Sequence, residues 1–436
     1  MKITVVGLGK IGLPLAVQYA RSGHDVVGAD INATVVDLVN AGTEPFPGEA
    51  HLEDYLAEVV RAGHLTATTD TSAAVSTSDA VVVVVPLFVD GEARPDFAAM
   101  DSATEAIARG LSRGRGTLVS FETTLPVGTT RTRWLPHLER VSGLREGEDF
   151  HLVFSPERVL TGRVFADLRK YPKLVGALNE DGAKRAVDFY ESVLQFDERP
   201  DLDRENGVWD LGSAEAAEMA KLAETTYRDV NIGLANQFAR FAAEHGIDVH
   251  AVIAASNSQP YSHIHRPGIA VGGHCIPVYP RLYLWNDPAA TIVRAAREAN
   301  AGMPSYSVEL TRAALQGSLE SATVAVLGAA YRGGVKETAF SGVFPVVQSL
   351  REAGANPVVH DPMYTPDELR AHGLEPYELG TPVDAAILQA DHAEYAGLSA
   401  ADLPGVRVVL DGRRFLDPAR FAGVTFLVLG RPDEGR

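Results

Sequence analysis

KITVVGLGKIG, residues 2–12, runs a short apolar stretch straight into three glycines spaced G-x-G-x-x-G. The apolar run reads as a strand. The residues behind the turn, Leu13 to Ser22, carry the period of an amphipathic helix. In a strand–turn–helix unit each glycine has a separate use. Gly7 permits the tight turn, Gly9 lets the backbone approach a pyrophosphate, and Gly12 allows the helix to pack close to the strand. The next strand, HDVVGADI, ends at Asp30, 18 residues after Gly12. A carboxylate there accepts hydrogen bonds from the adenosine ribose and repels a 2′-phosphate, so NAD is favoured over NADP as cofactor.

The same alternation continues outward. Thr34 to Ala41 is helical in period, SDAVVVVVP is a continuous apolar run ending at Pro86, and GTLVSFE and FHLVFSPE follow as strands. Strands alternating with helices imply a parallel sheet covered on both faces. A second series begins near Ser321 with ATVAVLGAAY, a helix from Phe344 to Ala353, NPVVHDP, DAAILQA, VRVVLDG and VTFLVLG. Between them, from Ser213 to roughly Ala255, lies a helical pattern long enough for a helix of about 30 residues, interrupted only by Gly233 and Gly246. The expected fold is α/β: two Rossmann-like doubly wound domains joined by a long central helix within a helical middle domain. The expected boundaries are 1–205, 206–308 and 309–436. No short-period repeat or low-complexity segment is present, although the two ends share an architecture.

Composition narrows the function. The chain has 436 residues, 46% of them hydrophobic and 22% charged, too many for one core. Its 39 basic against 57 acidic residues leave a net charge of −18, which argues against nucleic-acid binding and attraction to an anionic membrane. An anionic ligand therefore needs local basic groups. One cysteine forms no internal disulfide and no structural zinc cluster, so no metal is expected and a reducing cytoplasm is the expected compartment. The N-terminus enters a strand without a signal-peptide pattern, and no apolar window reaches membrane-span length.

Two stretches outside the dinucleotide motif carry chemistry. In AEMAKLAETTYRDVNI, Lys221, Thr225 and Arg228 share one helix face, with Asn231 a turn further on. A solvated polar face accounts for such a set as readily as a site does. In AVGGHCIPVYP, Gly272 and Gly273 let the backbone pass close to a ligand beside Cys275, the single cysteine. A thiol there can attack a carbonyl carbon, or it is a buried inert side chain; spacing alone leaves both open.

GLGKIGLPLA, TTLPVGTT, SPERVLTGR, AEMAKLAETTYRDVNI, VGGHCIP, LGAAYR and DGRRFLD, in this order across nearly the whole chain, resemble the nucleotide-sugar 6-dehydrogenases (the UDP-glucose/GDP-mannose dehydrogenase family). The wording is most similar to the branch that oxidises UDP-N-acetylhexosamines such as UDP-N-acetylmannosamine. The resemblance implies a homodimer that uses two NAD+ to convert a sugar C6 alcohol to a carboxylate. It assigns Cys275 as the nucleophile, Lys221 as stabiliser of the developing oxyanion, and Glu157 and Thr124 to the attacking water. Arg332 and Arg414 match cationic positions that contact the nucleotide-sugar. Arg228, Asn231, Gly272, Gly273 and His274 are assigned to substrate with them.

Departures from the family pattern sit in the same motifs. Thr225 replaces an asparagine, Tyr279 an aspartate, Ala339 an arginine that reaches the substrate, and Gly342 a proline. A tyrosine has an ordinary pKa near 10 and is a poor base at neutral pH. These losses bear most on thioester hydrolysis. They leave open a two-electron oxidoreductase or an epimerase on a nucleotide-sugar, and a non-catalytic paralogue that binds one.

Overall fold

The strand that leads into Gly7 takes an interior place in its sheet, buried on both faces from Ile3 to Val6. In the computed structural model, which describes residues 1–90 and 94–431, β1 (Lys2–Val6) pairs in parallel with β2 (Asp25–Ala29) on one side and β4 (Ala80–Val83) on the other. Ile3 lies opposite both Val26 and Ala80. With β3 (Leu65–Thr68), β5 (Thr117–Phe121), β6 (Phe150–Phe154), β7 (Lys173–Ala177) and β8 (Val208–Asp210), the sheet runs β8-β7-β6-β5-β4-β1-β2-β3. Chain order reverses between β1 and β4, the switch point where open α/β sheets bind ligands. The β6–β7 pair is antiparallel, the one reversal in the series.

Every residue of β4, β5, β6 and β7 is buried, as a sheet covered on both faces requires. Val82, Leu118 and Val153 face a core built with Leu15, Phe189 and Tyr190. Val81, Val119, Phe121 and Leu152 face the opposite layer, where Trp134 stacks on Phe121 with ring centres 5.5 Å apart. The strands β3, β7 and β8 had no clear sequence signal. All three lie in the outer part of the sheet, where alternation is weaker and neighbours decide pairing.

The chain divides into two compact units, residues 1–223 and 224–436, with the boundary inside the long helix Ala214–Glu244. That helix has 31 residues. The helical pattern expected to reach Ala255 breaks after it: Gly246 takes φ 68°, and Asp248 caps a separate helix, Val249–Ser256, by accepting from the backbone N–H of His250 and Ala251.

The second unit carries a five-stranded parallel sheet. Its strands are β9 (Thr323–Leu327), β10 (Asn356–His360), β11 (Ala385–Leu388), β12 (Val408–Asp411) and β13 (Thr425–Val428), in the order β10-β9-β11-β12-β13. Helices Met303–Ala314 and Val343–Glu352 cover one face through Val308, Val346 and Leu350. Among the described residues no helix is long and apolar enough to cross a membrane.

Candidate active site

In the first unit the glycine turn has the geometry a dinucleotide needs. Gly7 sits at φ 93°, where only glycine is unstrained, and its N–H donates to the Ala29 carbonyl at 2.8 Å. A Cβ on Gly12 would stand 1.8 Å from the Gly7 carbonyl oxygen, so helix Gly12–Arg21 packs against the turn only because no side chain intervenes. A Cβ on Gly9 would meet nothing within 4 Å: its outer face is open, as required where a pyrophosphate lies against the backbone. No side chain caps this helix, but Leu13 N already donates to the Gly9 carbonyl at 3.1 Å and Pro14 has no N–H, so it is the bare backbone around Gly9 that is left open to an anion. Asp30 is half-exposed and accepts from Leu8 N and Asn32 N, both at 2.8 Å, one on each oxygen. Each oxygen keeps a lone pair for a ribose hydroxyl. Gly7, Gly9, Gly12 and Asp30 therefore fit NAD.

The second unit repeats this turn and disables its carboxylate. Gly328, at φ 101°, donates to the His360 carbonyl at 2.7 Å, and Ala329 N donates to Asp361 at 2.8 Å. Asp361, however, also accepts from Ala330 N and Met363 N and lies 3.1 Å from the buried His392 ring nitrogen. Asp361 is also buried, 3% exposed against the half-exposed Asp30, so no ribose carboxylate is offered at that turn.

Within the first unit, Glu157, Thr124 and Lys221 are all withdrawn from bulk solvent. Glu157 is not an open base. One oxygen accepts from Arg158 N at 2.6 Å and Val159 N at 3.2 Å, and the other lies 2.8 Å from Lys173 Nζ. Lys173 Nζ in turn lies 2.7 Å from Glu122, which also accepts from the Tyr190 hydroxyl at 2.6 Å. Burial pushes Glu122 up to about 7. Burial raises Glu157 too, but the attraction and hydrogen bond of Lys173 outweigh it and hold this carboxyl below its ordinary value.

The loop that carries Thr124 is tied to the helix of Lys221 through Glu218. This buried carboxylate, one helical turn before Lys221, accepts from Gly128 N at 2.5 Å and from Thr130 N and hydroxyl at 2.9 and 2.7 Å. It fastens the TTLPVGTT loop to the long helix. Burial raises Glu218 to about 7 despite these three donors. Sequence reading passed over Glu122, Lys173 and Glu218. Only Glu218 had a local signal, its i−3 spacing from Lys221.

In the second unit the loop of Cys275 is fastened at several points. Gly273 takes φ 90° and donates to the Ala339 carbonyl at 2.9 Å. A Cβ on Gly272 would meet Tyr331 Cβ at 2.6 Å and the Phe340 carbonyl at 3.0 Å. A Cβ on Gly342 would stand 2.6 Å from that of Ala270, which excludes a proline ring there in this packing. His274 lies 3.3 Å from Glu337. The Cys275 carbonyl accepts from Val278 N and Tyr279 N and starts helix Tyr279–Asn286, and the Cys275 residue is exposed. The thiol is therefore not buried.

The remaining assignments separate. Asn231 spends its amide on backbone, donating to His263 O at 2.9 Å and accepting from His265 N at 3.0 Å, while Arg228 is exposed. Arg332 is half-buried beside Tyr331. Arg414 is exposed at φ 53°, whereas its neighbour Arg413 turns inward and donates to Gln389 O and Tyr331 O at 2.5 and 3.2 Å. Sequence reading had no means to tell these two adjacent arginines apart.

Three domain signatures match in sequence: the NAD binding domain of the UDP-glucose/GDP-mannose dehydrogenase family at residues 1–194, its central domain at 215–302 and its UDP binding domain at 325–418. The UDP-N-acetyl-D-mannosamine dehydrogenase of Pyrococcus horikoshii is 34% identical, over 99% of this chain and 100% of that protein. The chain belongs to the UDP-glucose/GDP-mannose dehydrogenase family. Another relative is the NDP-N-acetyl-D-galactosaminuronic acid dehydrogenase of Ralstonia nicotianae, 32% identical over 96% of this chain and 97% of its own. The solved structure of a UDP-D-ManNAc dehydrogenase from Pyrococcus horikoshii aligns with a TM-score of 0.87 at 33% identity, covering 99% of both chains. As a member of the UDP-glucose/GDP-mannose dehydrogenase family, the protein is an NAD-dependent oxidoreductase acting on a nucleotide-sugar.

Proposed function

We propose that this dehydrogenase oxidises the C6 alcohol of a UDP-linked N-acetylhexosamine to the uronic acid, with Cys275 as nucleophile. The observation that carries this reading is the exposed Cys275, presented on a glycine turn whose backbone is tied to Ala339. The names of the relatives, a mannosamine and a galactosaminuronic acid dehydrogenase, support the N-acetylated sugar.

Bound NAD, held by Gly7, Gly9, Gly12 and Asp30, supplies the two-electron acceptor for each oxidation. The Cys275 sulfur adds to the C6 aldehyde carbon, and the proton passes to the former carbonyl oxygen, giving a thiohemiacetal. Lys221 stabilises negative charge on that oxygen. Once the adduct is at the thioester level, water adds at C6, the carbon–sulfur bond breaks, and the carboxylate leaves with the thiol regenerated. Thr124 orients this water beside Glu157. Arg332 and Arg414 offer positive charge to the diphosphate, with Arg228, Gly272, Gly273 and His274 lining the substrate, while Asn231 instead holds the backbone at His263 and His265.

The test is product mass and NADH yield from UDP-N-acetylmannosamine, UDP-N-acetylgalactosamine and UDP-glucose. Two NADH per sugar and a carboxylate product are expected, with Cys275→Ser forming no acid. Failure of all three sugars to reduce NAD+ sinks the reading. Tyr279 favours a second reading, in which the reaction stops at two electrons or epimerises: its backbone N–H closes on the Cys275 carbonyl, and a phenol is a weak base. One NADH per sugar, or a product of unchanged mass, selects it.

A homodimer through the long helix is part of this proposal. Tyr227, Leu234, Phe238 and Phe241 are exposed at spacings that put them along one side of that helix, an apolar stripe suited to a second copy. Light scattering at the mass of two chains is expected, and a monomer after Leu234→Glu/Phe241→Glu.

A further inference from the structure

We propose that Lys173 is the positioning residue that fixes the Glu157 carboxylate for the reaction, a role that rests on the reading of Glu157 as a site residue. Lys173 opens β7, the one strand reversed against its neighbour β6. The register Val153↔Ala177 and Phe154↔Gly176, continued three residues further, sets Glu157 opposite Lys173. Had β7 run parallel to β6, its first residue would lie at the other edge of the sheet. The reversal delivers an ammonium to the carboxyl ends of β5 and β6, where ligands bind in such sheets.

There it meets two carboxylates. Lys173 Nζ lies 2.8 Å from Glu157 and 2.7 Å from Glu122, with side-chain exposures of 5% for Lys173, 11% for Glu157 and 0% for Glu122. Only Glu157 has an edge toward solvent. The deeper Glu122 is enclosed by the hydroxyls of Tyr190, at 2.6 Å, and Tyr19, at 3.4 Å, from two different helices, and Ser120 lies 2.7 Å from the Tyr190 hydroxyl. Glu157 N also donates to the Glu122 carbonyl, so the two acidic residues are tied by backbone as well.

Two carboxylates and one ammonium leave a net negative charge in a buried place unless a proton is held. Burial raises Glu122 to about 7 while Lys173 holds Glu157 below its ordinary value, so the deeper acid is the one that takes up a proton first and Lys173 keeps Glu157 ionised and aimed. Without the ammonium, Glu157 would be a buried, unpaired charge. It would take up a proton or swing out.

The test uses the full chain with NAD+ and an accepted nucleotide-sugar. Lys173→Met is expected to lower kcat by about tenfold or more while the KM for NAD+ changes by about twofold or less. The acid limb of its kcat profile should move to higher pH by about one unit or more. Lys173→Arg should restore most of the rate. Adding Glu157→Gln to Lys173→Met should cost nothing further, since both act on one group. If the single variant does not fold, Glu122→Gln/Lys173→Met, which puts a neutral amide in place of the deeper acid where the ammonium is lost, is carried forward. Folded variant protein with wild-type kcat and pH profile overturns the proposal, as do losses that multiply. Wild-type rates in Glu157→Gln also overturn it and leave the dehydrogenase reading intact, whereas absence of NADH formation by the wild-type protein overturns that reading instead.

Discussion

Gly12 and the carbonyl oxygen of Gly7 are so close that a single added carbon would stand 1.8 Å from that oxygen. The contact belongs to the fold, whereas the face of Gly9 is open and touches nothing within 4 Å. Gly12→Ala should therefore destabilise the first unit and lower its melting temperature by about 4 °C or more. Gly9→Ala should melt within about 1 °C of wild type yet bind NAD about tenfold more weakly. Calorimetric melting and NAD titration on both variants separate the two roles; equal melting losses would refute the assignment.

Asp30 holds the turn through Leu8 N and offers its remaining lone pairs outward. Asp30→Asn, which keeps one acceptor oxygen and loses the charge, should narrow the preference for NAD over NADP by about tenfold or more through loss of repulsion of the 2′-phosphate. Steady-state kcat/KM with both cofactors measures this. An unchanged ratio would remove Asp30 from cofactor selection.

Glu218 makes stability depend on pH in a defined direction. Its pKa, raised by burial from 4.5 to about 7, means that the folded chain keeps a proton the unfolded chain releases between those values. The stabilising contribution is full below about pH 4.5 and is lost as pH rises through about 7. Glu122, also raised to about 7, acts in the same sense. Glu218→Gln should thus shrink the fall in melting temperature between about pH 5 and pH 7.5 without abolishing it. An unchanged fall would show that Glu218 is ionised throughout.

Gly272 faces Tyr331 Cβ at 2.6 Å once a Cβ is added, and that ring lies within the second unit. Gly272→Ala should displace the Cys275 loop and reduce kcat by about a hundredfold, in line with the cost of misplacing a reacting group by about 1 Å. NAD affinity, which resides in the first unit, should stay within about twofold. Wild-type kcat in this variant would mean the loop is free to adjust.

The expected outcome of Gly342 differs from that of a family proline. Its own Cβ position is occupied by Ala270, so Gly342→Pro should lower the melting temperature of the second unit rather than stabilise it. A rise would mean that the loop repacks.

Much of this was legible in the chain itself because the signals are local. The strand β1, its glycine turn and Asp30 fall within 29 consecutive residues, and each glycine has a steric reason that a spacing pattern expresses. The Cys275 loop is likewise one contiguous segment. Glu157 was legible as a member of SPER, but its partners were not: Lys173 is 16 residues away on a strand with no clear signal, and Glu122 lies 51 residues before Lys173. Their meeting depends on a reversed strand, which composition and periodicity do not encode.

The sequence by itself determined the α/β alternation, the cofactor turn, the glycine-bordered loop that presents Cys275 and the family, because each rests on residues near in sequence whose steric and chemical demands are local. The tertiary structure decided which charges are buried together. It gave Glu157 an ammonium, raised the pKa of Glu122 by burial, turned Arg413 inward and Arg414 outward, and buried Asp361 beside His392 while leaving Asp30 half open. The physical reason is that burial and pairing set the energy of a charge, and both depend on which distant strands become neighbours.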